Sequence, residues 1–287
     1  MRYPTMPLRN LPILLLLLIT TTTLSAPPDL TSLLTSARES LAAGDTDRAL
    51  SLATDAVKLA PNQPSPYALR AAVQDARRDF AASIDDYTRL LSLTPDSLPA
   101  LHHRGEAHFR LGHFKQSVAD FDKEISLDPS REPHHWQRGI SLYYAGDYAR
   151  GAKQFELHRT VNPDDVENAA WHYLCVARLT GVAAARKSLL PVGPDPRVPM
   201  REIYDLFGGK ATPDAVILAT AAPDPPPREV KTRRFYAHLY VGLYYEAAGQ
   251  AEKAREHITL AAETYAEDDY MSDVARVHAA TFKAPQQ

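Results

Sequence analysis

The chain has 287 residues, 45% hydrophobic and 23% charged, a composition able to bury a core that offsets chain entropy, so global disorder is excluded. Its 32 Lys+Arg against 35 Asp+Glu give a formal net charge of −3, which argues against a nucleic-acid binder held by phosphate contacts. The single cysteine, Cys175, excludes an intrachain disulfide framework and any multi-cysteine zinc or iron–sulfur site.

Residues 1–25 read as a secretory signal peptide. Arg2 and Arg9 precede an apolar run from Leu11 to Ile19, and Thr20 to Ser25 supply a cleavage region. The run is far shorter than the about 20 apolar residues that cross a bilayer. An uncleaved anchor is the alternative. No cysteine follows the apolar run, so lipid anchoring is not expected, and the chain is read as exported, periplasmic or secreted.

An internal period then organises the chain. Pro61, Pro95, Pro129 and Pro163 are spaced 34 residues apart. Gly44, Gly112 and Gly146 keep the same register, with Arg78 in the place of a fourth glycine. Phe80, Phe114 and Tyr148 form another column. Ala49, Ser83, Ser117 and Gly151 each stand four residues before Ala53, Tyr87, Phe121 and Phe155. Each unit makes sense as two antiparallel helices. In the third, Leu101, Gly105, His108 and Leu111 mark the stripe of helix A, and Phe114, Val118, Phe121 and Ile125 that of helix B. Gly105 and Gly139, with Gly242 later, sit where helix B must approach helix A closely. Arg70, Arg104 and Arg138 share one helix A position, and Asp86 and Asp120 lie sixteen residues after the first two, which predicts an Arg–Asp pair inside a hairpin.

These columns resemble the tetratricopeptide repeat (TPR) family. The third unit has Leu101, Arg104-Gly105, His108, Ser117, Phe121 and Pro129 at the family's positions, and the fourth has His135, Arg138-Gly139, Leu142, Gly151, Phe155 and Pro163. The resemblance implies an all-α, right-handed superhelix of helical hairpins, with regular units at 30–63, 64–97, 98–131 and 132–165. Beyond Pro163 the period slips. A degenerate hairpin is expected over 166–190, with a helix from Glu167 to Thr180, and then a proline-rich, irregular insertion over 191–228 holding short helices at Met200–Phe207 and from Thr212-Pro213. A TPR-like pair resumes at Thr232, and Asp269 to Phe282 is expected to cap the stack, completing a unit over 232–283. This C-terminal half resembles the bacterial outer-membrane TPR lipoprotein called new lipoprotein I, and more closely a group of uncharacterised TPR proteins. Such a resemblance implies an adaptor or scaffold.

The resemblance also implies that helix A side chains line a concave face. Its positions hold His102, Glu106, Phe109, Arg110, Trp136, Ile140, Tyr143 and Tyr144, with Leu34, Arg38 and Asp75 in the earlier units. Together they make a candidate peptide-gripping groove. The competing reading packs Trp136 and the tyrosines against a neighbouring helix or the irregular C-terminal half. The clamp by which some TPR domains hold an acidic chaperone tail is not expected, because its positions carry Leu34, Arg38, Leu69, Pro99 and His103.

Little else suggests chemistry. His102, His103, His108, His113, His134 and His135 crowd one stretch, but their spacing lacks the i, i+4 logic of a helical metal site, so no metal is expected. Cys175 with His172 could suggest a nucleophile and base, but no third orienting group is recognisable. A phosphate loop, G-x-S-x-G and H-E-x-x-H are all missing. The expectation is a noncatalytic interaction scaffold without cofactor, binding a protein or peptide in its groove. The alternative is a structural protein that self-associates through the hairpin from Phe235 to Tyr265.

Overall fold

The computed structural model describes residues 29–221 and 226–283; the expected signal peptide lies outside them. Four hairpins follow one another: α1 (Leu30–Ala42) with α2 (Thr46–Leu59), α3 (Pro64–Ala76) with α4 (Phe80–Leu93), α5 (Leu98–Arg110) with α6 (Phe114–Leu127), and α7 (Trp136–Tyr144) with α8 (Tyr148–His158). A 3-10 turn, Pro129–His134, precedes α7. Then come α9 (Val166–Thr180), α10 (Val182–Lys187), α11 (Met200–Phe207), α12 (Pro213–Ala219), α13 (Pro227–Ala247), α14 (Ala251–Thr259) and α15 (Tyr270–Thr281). Among the described residues there is no strand. From α1 to α10 each helix packs on the next, α11 returns to α9, and the whole is an all-α TPR-type superhelix.

The turns explain the period. Gly44, Gly112 and Gly146 take φ of 80°, 74° and 80°, and Arg78 at the same place takes 61°. Asp45, Asp79 and Asp147 follow and cap α2, α4 and α8, accepting the backbone N–H of Arg48, Ala82 and Arg150. At the other end Ala60, Thr94 and Asp128 leave the helical region with φ near −135° to −140°. Each precedes a proline, whose ring disfavours helical geometry in the residue before it.

Contacts inside the hairpins follow the same register. A Cβ on Gly105 would stand 2.7 Å from Phe121, one on Gly139 2.6 Å from Phe155, and one on Gly242 2.7 Å from Ile258. Arg70 donates to both carboxylate oxygens of Asp86 at 2.7 and 2.6 Å, and Arg104 to those of Asp120 at 2.8 and 2.6 Å. Arg138 keeps the spacing but meets an amide: it donates to Gln154 at 2.6 Å and to Asp122 of the preceding hairpin at 2.7 Å. Leu111, counted above in the apolar stripe, instead caps α5 and is exposed.

After α10 the chain runs extended through its prolines. Arg197 fastens this segment, pairing with Asp165, Glu167 and Asp195 at 2.9, 2.5 and 2.6 Å. Helix α11 buries Ile203, Leu206 and Phe207, the last edge-on to Tyr173. Helix α13 starts at Pro227 rather than Thr232, since proline is favoured in a first helical turn where no N–H partner is needed. The tail of α14 widens into a π turn, Leu260–Tyr265.

The last helix caps the stack and does more besides. Helix α15 packs on α14 and the π turn, yet it also turns back to α5, inside the arc of the hairpins. It fills the arc as well as closing the end of the stack.

Candidate functional site

Helix A residues of the second and third hairpins face inward, and α15 divides the surface they make. Tyr270 stacks on Phe109 with ring centroids 5.5 Å apart and stands edge-on to Trp136 at 5.2 Å. Asp273 accepts from Arg110 Nε at 2.7 Å and also pairs with Arg78. His278 Nδ1 lies 2.8 Å from the Tyr144 hydroxyl. The aromatic half of the predicted groove is therefore packed from within. Phe109, Ile140 and Tyr143 are 0%, 1% and 5% exposed, and Trp136 and Tyr144 pack against the same core. Trp136 and Ile140 line a cavity of about 280 Å³ beneath Met271 and Tyr236 rather than an open trough. Nothing in the local pattern around 109–144 announced this, because the covering helix comes more than a hundred residues later.

The other half stays open. A cavity of about 730 Å³ lies between α3, α5 and the start of α15. Ala68, Ala72, Leu90 and Ala100 give it an apolar wall, while Asp75, Glu106, Arg110 and His103 bring polar groups to it. Of the predicted groove residues, Glu106 and Arg110 thus reach an open surface. Asp75 Oδ2 accepts from Tyr87 at 2.8 Å, and His103 stacks on the Tyr87 ring at 5.9 Å. Asp75 Oδ1 is buried with no hydrogen-bond partner among the described residues. Burial raises the Asp75 carboxyl above its ordinary value, against the hydrogen bond from Tyr87. At Glu106 burial acts the same way, but His102, His103 and Arg110 overcome it and hold the carboxyl well below the usual range.

His102 points away from this cavity. Its Nδ1 lies 3.1 Å from Glu124, which His135 also approaches at 2.9 Å. Two of the histidines therefore do converge, His102 from α5 and His135 from the residue just before α7. Cys175 is fully buried and burial pushes its thiol up, the reverse of what a nucleophile needs, while His172 faces Glu156 at 3.4 Å.

The family model of the tetratricopeptide repeat matches residues 98–131, the hairpin of α5 and α6. Residues 98–131 are thus matched as one tetratricopeptide repeat, and the solenoid as a whole has the TPR fold. Solved structures resemble it: a tetratricopeptide repeat protein from Parabacteroides merdae ATCC 43184 is 16% identical, aligns over 89% of this chain and 99% of its own, and gives a TM-score of 0.58. The MamA protein is 15% identical over 55% of this chain and 86% of its own, with a TM-score of 0.52. The fragment of MamA from residue 41 onward from Desulfovibrio magneticus RS-1 is 14% identical over 56% and 92%, with a TM-score of 0.51. At these identities the likeness is one of fold. Against the TPR plan, the open surface here is the helix A face of the second and third repeats, and the later repeats spend theirs on the chain's own C-terminal helix.

Proposed function

We propose that this TPR protein is an exported, noncatalytic adaptor that holds a short segment of a partner protein in the cavity between α3, α5 and the start of α15. The TPR fold is that of a protein–protein interaction scaffold, which supports the general reading. One observation carries the particular one: the cavity that Ala68, Ala72, Leu90 and Ala100 line is also lined by Asp75, whose Oδ1 is buried and makes no hydrogen bond among the described residues, with only the Ser83 hydroxyl acting on that carboxyl as a donor besides Tyr87. Buried polar atoms are nearly always satisfied, so an incoming N–H fits this place. The occupant is an extended segment with small apolar side chains and one lysine, arginine or amide donor for Asp75.

Export rests on the pattern of residues 1–25, and mass spectrometry of the mature N-terminus tests it, with cleavage after Ser25 expected. Among the described residues no helix is long and apolar enough to cross a membrane. Self-association through the final hairpin is disfavoured, because Phe235, Leu239, Tyr240, Leu243 and Ile258 bury their side chains within the same chain.

A photo-crosslinking residue at position 72 tests the cavity, with one at the exposed Leu218 as control. The expected result is a discrete adduct from position 72 alone, and loss of the partner in Ala72→Trp at an unchanged melting midpoint. Equal partner retention by Ala72→Trp and wild type would refute the assignment.

A further inference from the structure

Three side chains from three elements meet on one carboxylate oxygen. His102 of α5 brings Nδ1 to 3.1 Å from Glu124 Oε2, and His135, just before α7, brings Nε2 to 2.9 Å from the same atom. The three ligand atoms lie within 4.8 Å of one another. Simple hydrogen bonding would divide two imidazoles between the two oxygens of a carboxylate. Here both converge on Oε2, and Oε1 has no hydrogen bond among the described residues, only the charge of Arg131 Nε at 2.8 Å.

We propose that His102, Glu124 and His135 form a binding site for a zinc-class divalent ion. Two imidazoles and one carboxylate are a common three-ligand set for such an ion, whereas nitrogen donors exclude the oxygen-seeking calcium and magnesium. Ligand atoms around a tetrahedral zinc stand about 3.3 Å apart, given metal–ligand bonds of about 2.0–2.1 Å. The observed separations of 3.1 and 2.9 Å need to open by only a few tenths of an ångström.

The surroundings match those of a ligand set. The far nitrogen of His102, Nε2, faces Glu106 Oε1 at 3.6 Å, the carboxylate–histidine arrangement that orients a metal-bound imidazole. Arg131 engages the oxygen that the imidazoles leave, fixing Glu124 as a one-oxygen ligand. Glu124 and His135 are buried, and both His102 and His135 border a cavity of about 460 Å³ lined also by Ser130, Arg131, His134 and Gln137. Water could reach an ion held there as a fourth ligand, since His102 and His135 both border that cavity. Because the ligands come from α5, α6 and the segment before α7, an ion there would tie the third repeat to the fourth.

The full chain, stripped with a chelator and dialysed, is titrated with zinc(II) by calorimetry and with cobalt(II) by visible absorption. The expected result is one equivalent bound, the intense visible bands of four-coordinate cobalt, and an upward shift of the melting midpoint with zinc. His102→Ala, at a partly exposed position, abolishes the cobalt bands, and Glu106→Gln weakens binding by about tenfold. His113→Ala and His257→Ala break the two other close imidazole pairs, His108–His113 and His238–His257, and leave binding unchanged. Absence of uptake, uptake undiminished in His102→Ala, or loss in either control overturns the site.

Discussion

Tyr270, in the last helix, lies on Phe109 of the third repeat with their planes 23° apart. That stack, with the edge-on contact to Trp136, seats α15 inside the arc. Tyr270→Ala removes a ring from this cluster and leaves a void, at a cost of about 3 kcal/mol. Denaturant titration reads the loss, and Trp136 emission should move to the red as solvent reaches it. An unchanged midpoint and spectrum would show that the helix is not held there.

Asp273 is the second fastening. It is buried and answers three guanidinium groups, Arg78 and Arg110 across the arc and Arg276 on its own helix. Asp273→Ala leaves the largely buried Arg110 with Glu106, at 3.7 Å, as its remaining charge partner, so the expected cost is about 2 kcal/mol, below the about 3–5 kcal/mol of a fully orphaned buried charge. The expected readout is a lowered midpoint together with faster proteolysis in the 266–269 link; equal protease resistance would contradict the pairing.

At Gly139 the predicted close approach is tight enough for a single methyl to matter. A Cβ there would meet Phe155 Cζ at 2.6 Å, so Gly139→Ala should destabilise by about 2 kcal/mol despite alanine's better helix propensity. Phe155→Leu should be costly alone but should recover part of the loss when combined with Gly139→Ala. A double-mutant cycle measures the coupling, and strict additivity would mean that the two sites do not touch.

The His102 cluster gives stability a dependence on pH. Burial disfavours the His102 imidazolium, but Glu106 and Glu124 outweigh it and raise its pKa to about 9; burial also opposes ionisation of Glu124, yet His102 and His135 bring it down to about 2. His103 and Arg131 are the other ionisable groups facing the pair. The His102 contribution is complete below the ordinary histidine value of 6.5 and fades as pH rises through 9. That of Glu124 is complete above its ordinary 4.5 and fades as pH falls towards 2. In chelator, the melting advantage of wild type over His102→Gln should peak between about pH 5 and 6.5 and shrink towards pH 9. A pH-independent difference would mean that the imidazole is uncharged in the fold.

The repeats were legible because their causes are local. A left-handed turn at Gly112, a proline at 129 and a glycine at 105 opposite Phe121 each leave a mark within one period of the sequence. Arg70 and Arg104 found their acids by the same arithmetic, and Arg138 departed from it only in meeting an amide. The covering of the groove is legible only as the competing reading, in which Trp136 and the tyrosines pack against the C-terminal half; the residues that do it, Tyr270 and Asp273, carry no local sign of facing Phe109 and Arg110. The histidine cluster is hidden for a related reason: its imidazoles do not stand one helical turn apart, because His102 and His135 are almost one repeat apart and meet only where successive repeats stack. Comparing equivalent positions of neighbouring repeats, not neighbouring turns, was the signal that could have found them.

Arg78 occupies a turn where its sister repeats use glycine, and it accepts a φ of 61° there while its side chain reaches Asp273, 195 residues away. Open arrays of repeats tend to unravel from their ends, one unit at a time. Hemming the last helix to the second repeat removes one of those free ends. Amide hydrogen exchange across repeats two to four should therefore report a shared opening event, and a chain cut before Tyr270 should regain the graded fraying of an ordinary array.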